Sequence, residues 1–221
     1  MMPLSRIITD TLETVEVGGQ PQPVVGLRGF RGFFQAGSNL CWAAIVASLD
    51  RYRWIAAGQP AAGSYARQCE VAERRGADRP ACHDSDLAER RPHCACIKDN
   101  ANQEDRVDLA LSAMGLLEGW VEMRAGGEAF NPGEVVTRNW NLDDLRKVLR
   151  ENRATVIRID RNRDGTLTPE HFVVVFLCGE TEDIVWVYDP ADENKNGDPE
   201  TFGSLSERVA ITHKYISKRL Q

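Results

Sequence analysis

Gln35-Ala36-Gly37-Ser38-Asn39-Leu40-Cys41-Trp42-Ala43-Ala44 is the stretch on which the reading of this chain turns. Gly37, Ser38 and Asn39 are turn formers, and Ser38 or Asn39 suits a helix N-cap. From Cys41 the residues take on helical character, continuing through Ile45, Val46, Ala47, Ser48 and Leu49. The stretch therefore predicts a tight loop that enters a helix at Cys41. A thiol in a first helical turn lies against backbone N–H groups and the positive end of the macrodipole, which favour the thiolate. Six residues earlier, Gln35 carries a side-chain amide able to donate to a developing oxyanion. The plain alternative is a structural cysteine, since reduced cysteines are among the most buried residues.

Downstream, residues 41–57 read as a buried helix. Ala44, Ala47, Leu49, Tyr52, Trp54 and Ile55 make it apolar nearly all round, and Gly58-Gln59-Pro60 stops it. Residues 64–75 predict a second helix closed by Gly76. Residues 104–114 predict a third, with Val107, Leu111 and Met114 as its core stripe and Gly115 as its stop. Residues 115–134 are glycine-rich and read as an irregular junction. Asn141 then caps a helix over 141–149, with acids in its first turn and bases in its last. Upstream, Ile7 and Ile8 suit the start of a strand, and Gly18-Gly19-Gln20-Pro21-Gln22-Pro23 reads as a flexible connector. Val24, Val25, Leu27, Phe30, Phe33 and Phe34 supply packing just before the Gln35 loop, broken by Gly26, Gly29 and Gly32.

From residue 154 the period changes. Thr155–Ile159, His171–Leu177 and Ile184–Tyr188 are β-branched and aromatic runs bounded by Gly, Asp and Pro. They read as consecutive antiparallel strands, with residues 209–216 adding a last one. Helices first and sheet second give an α+β class: two packed halves, about 24–115 and 135–221, with a cleft between them. Residues 1–23 are an N-terminal extension of the one domain, 1–221.

The net charge of −6 argues against a nucleic-acid or anionic-membrane surface. No apolar run approaches the ~20 residues that span a bilayer, and the first residues do not read as a Sec signal. The expected location is cytoplasmic, or reached by a route that needs no such signal. Four of the six cysteines, Cys69, Cys82, Cys94 and Cys96, lie close together in sequence, with His83 and His93. Zinc prefers C-x(2–4)-C or H-x(3–5)-H pairs, and Cys94-x-Cys96 chelates poorly; a disulfide or a reduced packing set fits better, and neither a metal nor a cofactor is expected. Residues 160–171 and 192–203 begin like calcium loops. Their twelfth positions are His171 and Gly203 rather than Glu, so both read as turns.

Two further residues complete a pattern. His171 opens an apolar strand 130 residues after Cys41, and Asp189 ends the next strand in Val187-Tyr188-Asp189-Pro190, 148 residues after Cys41. With Gln35-x(5)-Cys41-Trp42, these resemble papain-like cysteine peptidases, in which Cys and His lie ~130–150 residues apart. Asn39 and Leu40 depart from the plant and lysosomal enzymes. Gln-x(5)-Cys-Trp-Ala-Ala looks more like the small bacterial members, effector proteases and bacteriocin leader peptidases. The resemblance covers most of residues 24–190, loosely in the middle third. It implies a central helix carrying the Cys41 nucleophile, His171 as base, Asp189 orienting the imidazole, and Gln35 at the oxyanion. It further implies a protein or peptide substrate. The same machinery serves deamidases, transglutaminases and acyltransferases, and the fold also serves as a non-catalytic binding module.

Overall fold

A computed structural model of the chain describes residues 14–17, 20–35, 40–59, 66, 68–74, 107–124, 141–159, 171–192, 199–208 and 211–220. Ile7, Ile8, the Gly37–Asn39 turn, Cys82, Cys94, Cys96, His83, His93 and the first calcium-loop decoy before His171 lie outside them.

The elements run β1 (Thr14–Val17), β2 (Gln20–Gly26), α1 (Cys41–Ala56), α2 (Gln68–Arg74), α3 (Val107–Ala113), β3 (Leu117–Arg124), α4 (Leu142–Arg150), β4 (Thr155–Ile159), β5 (His171–Gly179), β6 (Ile184–Tyr188), β7 (Pro199–Thr201), α5 (Phe202–Arg208) and β8 (Ile211–Ser217). The class is α+β: an N-terminal helical region packs on an antiparallel sheet built mostly from the C-terminal half. The expected strands at 155–159, 171–177 and 184–188 are present and consecutive in the sheet, and the expected last strand is β8.

Three expectations are corrected. Residues 20–23 are not a connector but the first half of β2, which pairs with β1 and then, through Val24–Gly26, with β5. Pro21 and Pro23 fit there because that half of the strand meets only β1 in the ladder, and proline has no N–H to offer a second neighbour. Residues 117–124 are not irregular either. Leu117, Val121 and Met123 fall on one parity and Glu118, Glu122 and Arg124 on the other, and the segment pairs along β8 as β3. Helices first, sheet second is therefore too simple, because β1, β2 and β3 precede or interrupt the helical half and still join the sheet.

β5 is the axis of the sheet. Its residues 171–175 bond β4, 174–178 bond β6, and 177–179 bond β2. A strand has two edges, so β6 takes one, while β4 and β2 share the other end to end. All nine residues of β5 are buried. On one face, Phe172, Val174 and Phe176 of β5 join Trp186 and Tyr188 of β6 in a core with α1, α2 and α3. On the other, Val173, Val175 and Cys178 pack with Val185, Val187, Leu145 and Leu149 of α4, and Leu205 of α5. Burying both faces explains why β5 reads as a continuous apolar run rather than an alternating one.

The helices follow the expected signals with shorter ends. In α1, residues 41–50 and Tyr52 are buried, whereas Ile55 reaches solvent at 46 % exposure. In α3, Val107 and Leu111 are buried with Met114 just beyond, and Gly115 takes φ +65 where the helix ends. Asn141 caps α4 as expected: its Oδ1 accepts from the Asp144 N–H at 2.8 Å.

Candidate active site

Cys41 is the first residue of α1 and is 3 % exposed. The cap position falls on Leu40, whose side chain makes no capping bond, and no acid stands in the first turn. Ser38 and Asn39, expected there, lie outside the described residues. Within that first turn no carboxylate offsets the positive end of the dipole.

His171 starts β5 and Asp189 follows the last residue of β6. The antiparallel pairing of Val174 with Tyr188 runs the end of β6 back along the start of β5. His171 Nε2 and Asp189 Oδ1 lie 2.6 Å apart, with the imidazole almost wholly buried and the carboxylate 20 % exposed. The same Oδ1 accepts from the Ala191 N–H at 2.8 Å. An oxygen that already accepts a backbone N–H acts as an acceptor toward the ring as well. With Asp189 ionised, Nε2 carries the proton in this pair.

Gln35 is tied to the same corner by its backbone, whose N–H donates to the Pro190 carbonyl at 2.9 Å. Gln35, His171 and Asp189 are thus gathered around Asp189-Pro190. Cys41 belongs to the same core cluster as Tyr188, the neighbour of Asp189. Burial holds the Tyr188 hydroxyl well above its ordinary pKa. The negative charges of Asp189 and Cys41 push it further in the same direction, while hydrogen bonds with Ser48 and Phe33 pull back. The hydroxyl stays protonated, and Cys41 is within electrostatic reach of it.

His171 is the first residue of β5, in the odd register of Val173 and Val175, whereas α1 covers the even face. At that strand end it meets Asp189, and Asp189-Pro190 also receives the Gln35 backbone.

Sequence reasoning missed several residues around the site. Ser48, Tyr188 and Gln68 all bond the backbone of Phe33 or Phe34, next to Gln35. Asp50 is buried, accepting from the Ala66 N–H at 2.8 Å and pairing with Arg53. The signal for Ser48 and Asp50 was their polarity within a helix that is otherwise apolar at its start. The second buried thiol, Cys178, lies on the opposite face of the sheet, where burial pushes its pKa up to about 12. At that value it stays a neutral thiol at ordinary pH and is a poor nucleophile. Among the described residues no three His, Cys, Asp or Glu side chains gather as metal ligands, and no helix is long and apolar enough to cross a membrane. No model of a known protein family and no curated protein matches the chain.

Proposed function

We propose that the chain is a papain-like cysteine peptidase that hydrolyses a peptide or isopeptide bond through Cys41, His171 and Asp189, with Gln35 at the oxyanion. The Cys41 sulfur adds to the carbonyl carbon, and the carbonyl oxygen takes the negative charge. His171 accepts the thiol proton at Nδ1 and returns it to the leaving amine. Water then hydrolyses the thioester with His171 as base. Asp189 holds the ring by Nε2–H and stabilises the imidazolium. The Cys41 N–H and the Gln35 amide face the oxyanion.

The observation that carries this reading is the 2.6 Å His171–Asp189 pair with the Gln35 backbone fastened one residue away, at Pro190. Segments far apart in sequence, at Gln35 and at Asp189-Pro190, meet at one corner, and a helix start bearing a cysteine belongs to the adjoining core.

Cleavage of a denatured-protein and peptide-library mixture, mapped by new N-termini, tests it. Wild type is expected to produce a defined set of cuts that Cys41→Ala and His171→Ala both abolish. Cuts that persist in Cys41→Ala would refute it.

A further inference from the structure

The segment entering the site, residues 33–35, is gripped at four backbone groups. The Phe33 N–H donates to Ser48 Oγ at 2.9 Å, and the Phe33 carbonyl accepts from the Tyr188 hydroxyl. Gln68 Nε2 donates to the Phe34 carbonyl at 2.6 Å, and the Gln35 N–H goes to Pro190. The three side-chain anchors come from different elements. Ser48 lies on α1 seven residues after Cys41, two helical turns along nearly the same face. Tyr188 immediately precedes Asp189, and Gln68 opens α2. All three side chains are buried.

The hydrogen bonds are fully committed. Ser48 has one proton, which goes to the Ala44 carbonyl at 2.6 Å, leaving its lone pairs for Phe33. Tyr188 spends its proton on Phe33, so the 3.4 Å approach of the two hydroxyls adds little. The ring of Tyr188 is wedged against Phe30 edge-on, at 5.6 Å between centroids. The fit is close enough that a Cβ on Gly32 would stand 1.9 Å from that ring.

We propose that Ser48, Tyr188 and Gln68 are positioning residues for the oxyanion side of the site, holding the Phe33–Phe34 backbone so that Gln35 keeps one place relative to Cys41 and Asp189. The proposal rests on the peptidase reading. Buried side chains that fasten a loop backbone cost entropy and desolvation, and a rigid second layer is what fixes a donor to within the fraction of an ångström that transition-state stabilisation needs. Ser48 sets the distance to the nucleophile's helix, and Tyr188 sets the distance to the strand that presents Asp189.

Two reactions at Cys41 separate positioning from general damage. With p-nitrophenyl acetate, the thiolate adds to the carbonyl carbon, an oxyanion forms, and its collapse expels p-nitrophenolate and leaves an acetyl thioester. With iodoacetamide, the thiolate displaces iodide at a saturated carbon and no oxyanion forms. Both rates are read at Cys41 by site-resolved mass spectrometry on the full chain, with near-UV circular dichroism as the check on folding. Tyr188→Phe and Gln68→Met are expected to lower the ratio of acylation to alkylation by between about 10-fold and 100-fold. In a Gln35→Ala background the same changes should alter that ratio by less than about twofold, because they act through Gln35. Gln68, on a separate helix, keeps the test valid if Tyr188→Phe does not fold. An unchanged ratio, or an equal fall with and without Gln35, overturns the proposal. If wild-type Cys41 is not acylated, or His171→Ala is acylated as fast, the peptidase reading has failed and the proposal falls with it.

Discussion

Replacing Gly32 by alanine should disturb the site from a residue that carries no side chain of its own. The added Cβ would lie 1.9, 2.1 and 2.3 Å from Cε2, Cζ and Cδ2 of Tyr188. Ordinary carbon contact is ~3.5 Å, so the two must separate by about 1.6 Å. Tyr188 is 1 % exposed and packs on Phe30, so most of that movement falls on the residue 32–35 segment. Moved that far, Phe33 loses its 2.9 Å bond to Ser48 and its bond from Tyr188. Overpacking costs about 1–3 kcal/mol, and two net hydrogen bonds add about 1 kcal/mol each. Together these give a loss of about 3–5 kcal/mol, or roughly 6–20 °C in Tm for a chain of this length. Urea and thermal unfolding of Gly32→Ala measure it. Tyr188→Leu removes the ring that the new methyl strikes, so the double variant should lose less than the sum of the singles by at least about 1 kcal/mol. A Gly32→Ala protein within about 0.5 kcal/mol of wild type, or strict additivity with Tyr188→Leu, would refute the packing argument.

Asp189→Asn keeps an oxygen for the His171 Nε2–H but loses the charge that supports an imidazolium, so peptide cleavage should fall in the order wild type, Asp189→Asn, Asp189→Ala; equal rates for the last two would show that Asp189 does not orient the ring. Ser217 Oγ accepts from the buried Ala154 N–H at 2.7 Å, beside the end of β4 opposite the one that pairs with His171. Ser217→Ala should cost about 1–3 kcal/mol in urea unfolding and leave Cys41 labelling unaltered. Cys178 binds its proton more tightly folded than unfolded, so between its ordinary 9.0 and about 12 the folded state holds more protons and stability falls as pH rises. The loss approaches about 1.4 kcal/mol per pH unit for this group, and Cys178→Val should flatten the decline of unfolding free energy across that window. An equally steep decline in the variant would place the alkaline sensitivity elsewhere, with Tyr188, whose burial also raises its pKa, as one such group.

The parts of the fold that the sequence disclosed were those where the physical signals agreed. α4 has a cap, a charge gradient and an apolar stripe that agree, and it forms where expected. β4, β5 and β6 are β-branched and bounded by turn residues, and they pair consecutively. Where signals conflicted, the local one misled. Two prolines suggested a connector at 20–23, yet the ladder there has a side on which a missing N–H matters little. Gly115 and Gly119 suggested irregular chain, yet Gly119 lies inside β3, held by β8 from almost a hundred residues away. The same limit applies to the site. His171 and Asp189 were legible because each stands at a strand end beside a neighbouring strand, and proximity followed from pairing. Which face His171 takes depends on register, and register is set by pairing across the sheet rather than by the residue's own surroundings. Ser48, Tyr188 and Gln68 act through the backbone of Phe33 and Phe34, so their side chains match no spacing that a motif would contain.

The central claim is that His171 activates Cys41, and labelling with an epoxysuccinyl inhibitor of cysteine peptidases at neutral pH tests it most directly. Intact-mass and peptide-level spectra would be taken for wild type, Cys41→Ala and His171→Ala. The account predicts one adduct on wild-type Cys41 and none on either variant. No wild-type adduct, or the same adduct on Cys41 in His171→Ala, would contradict it.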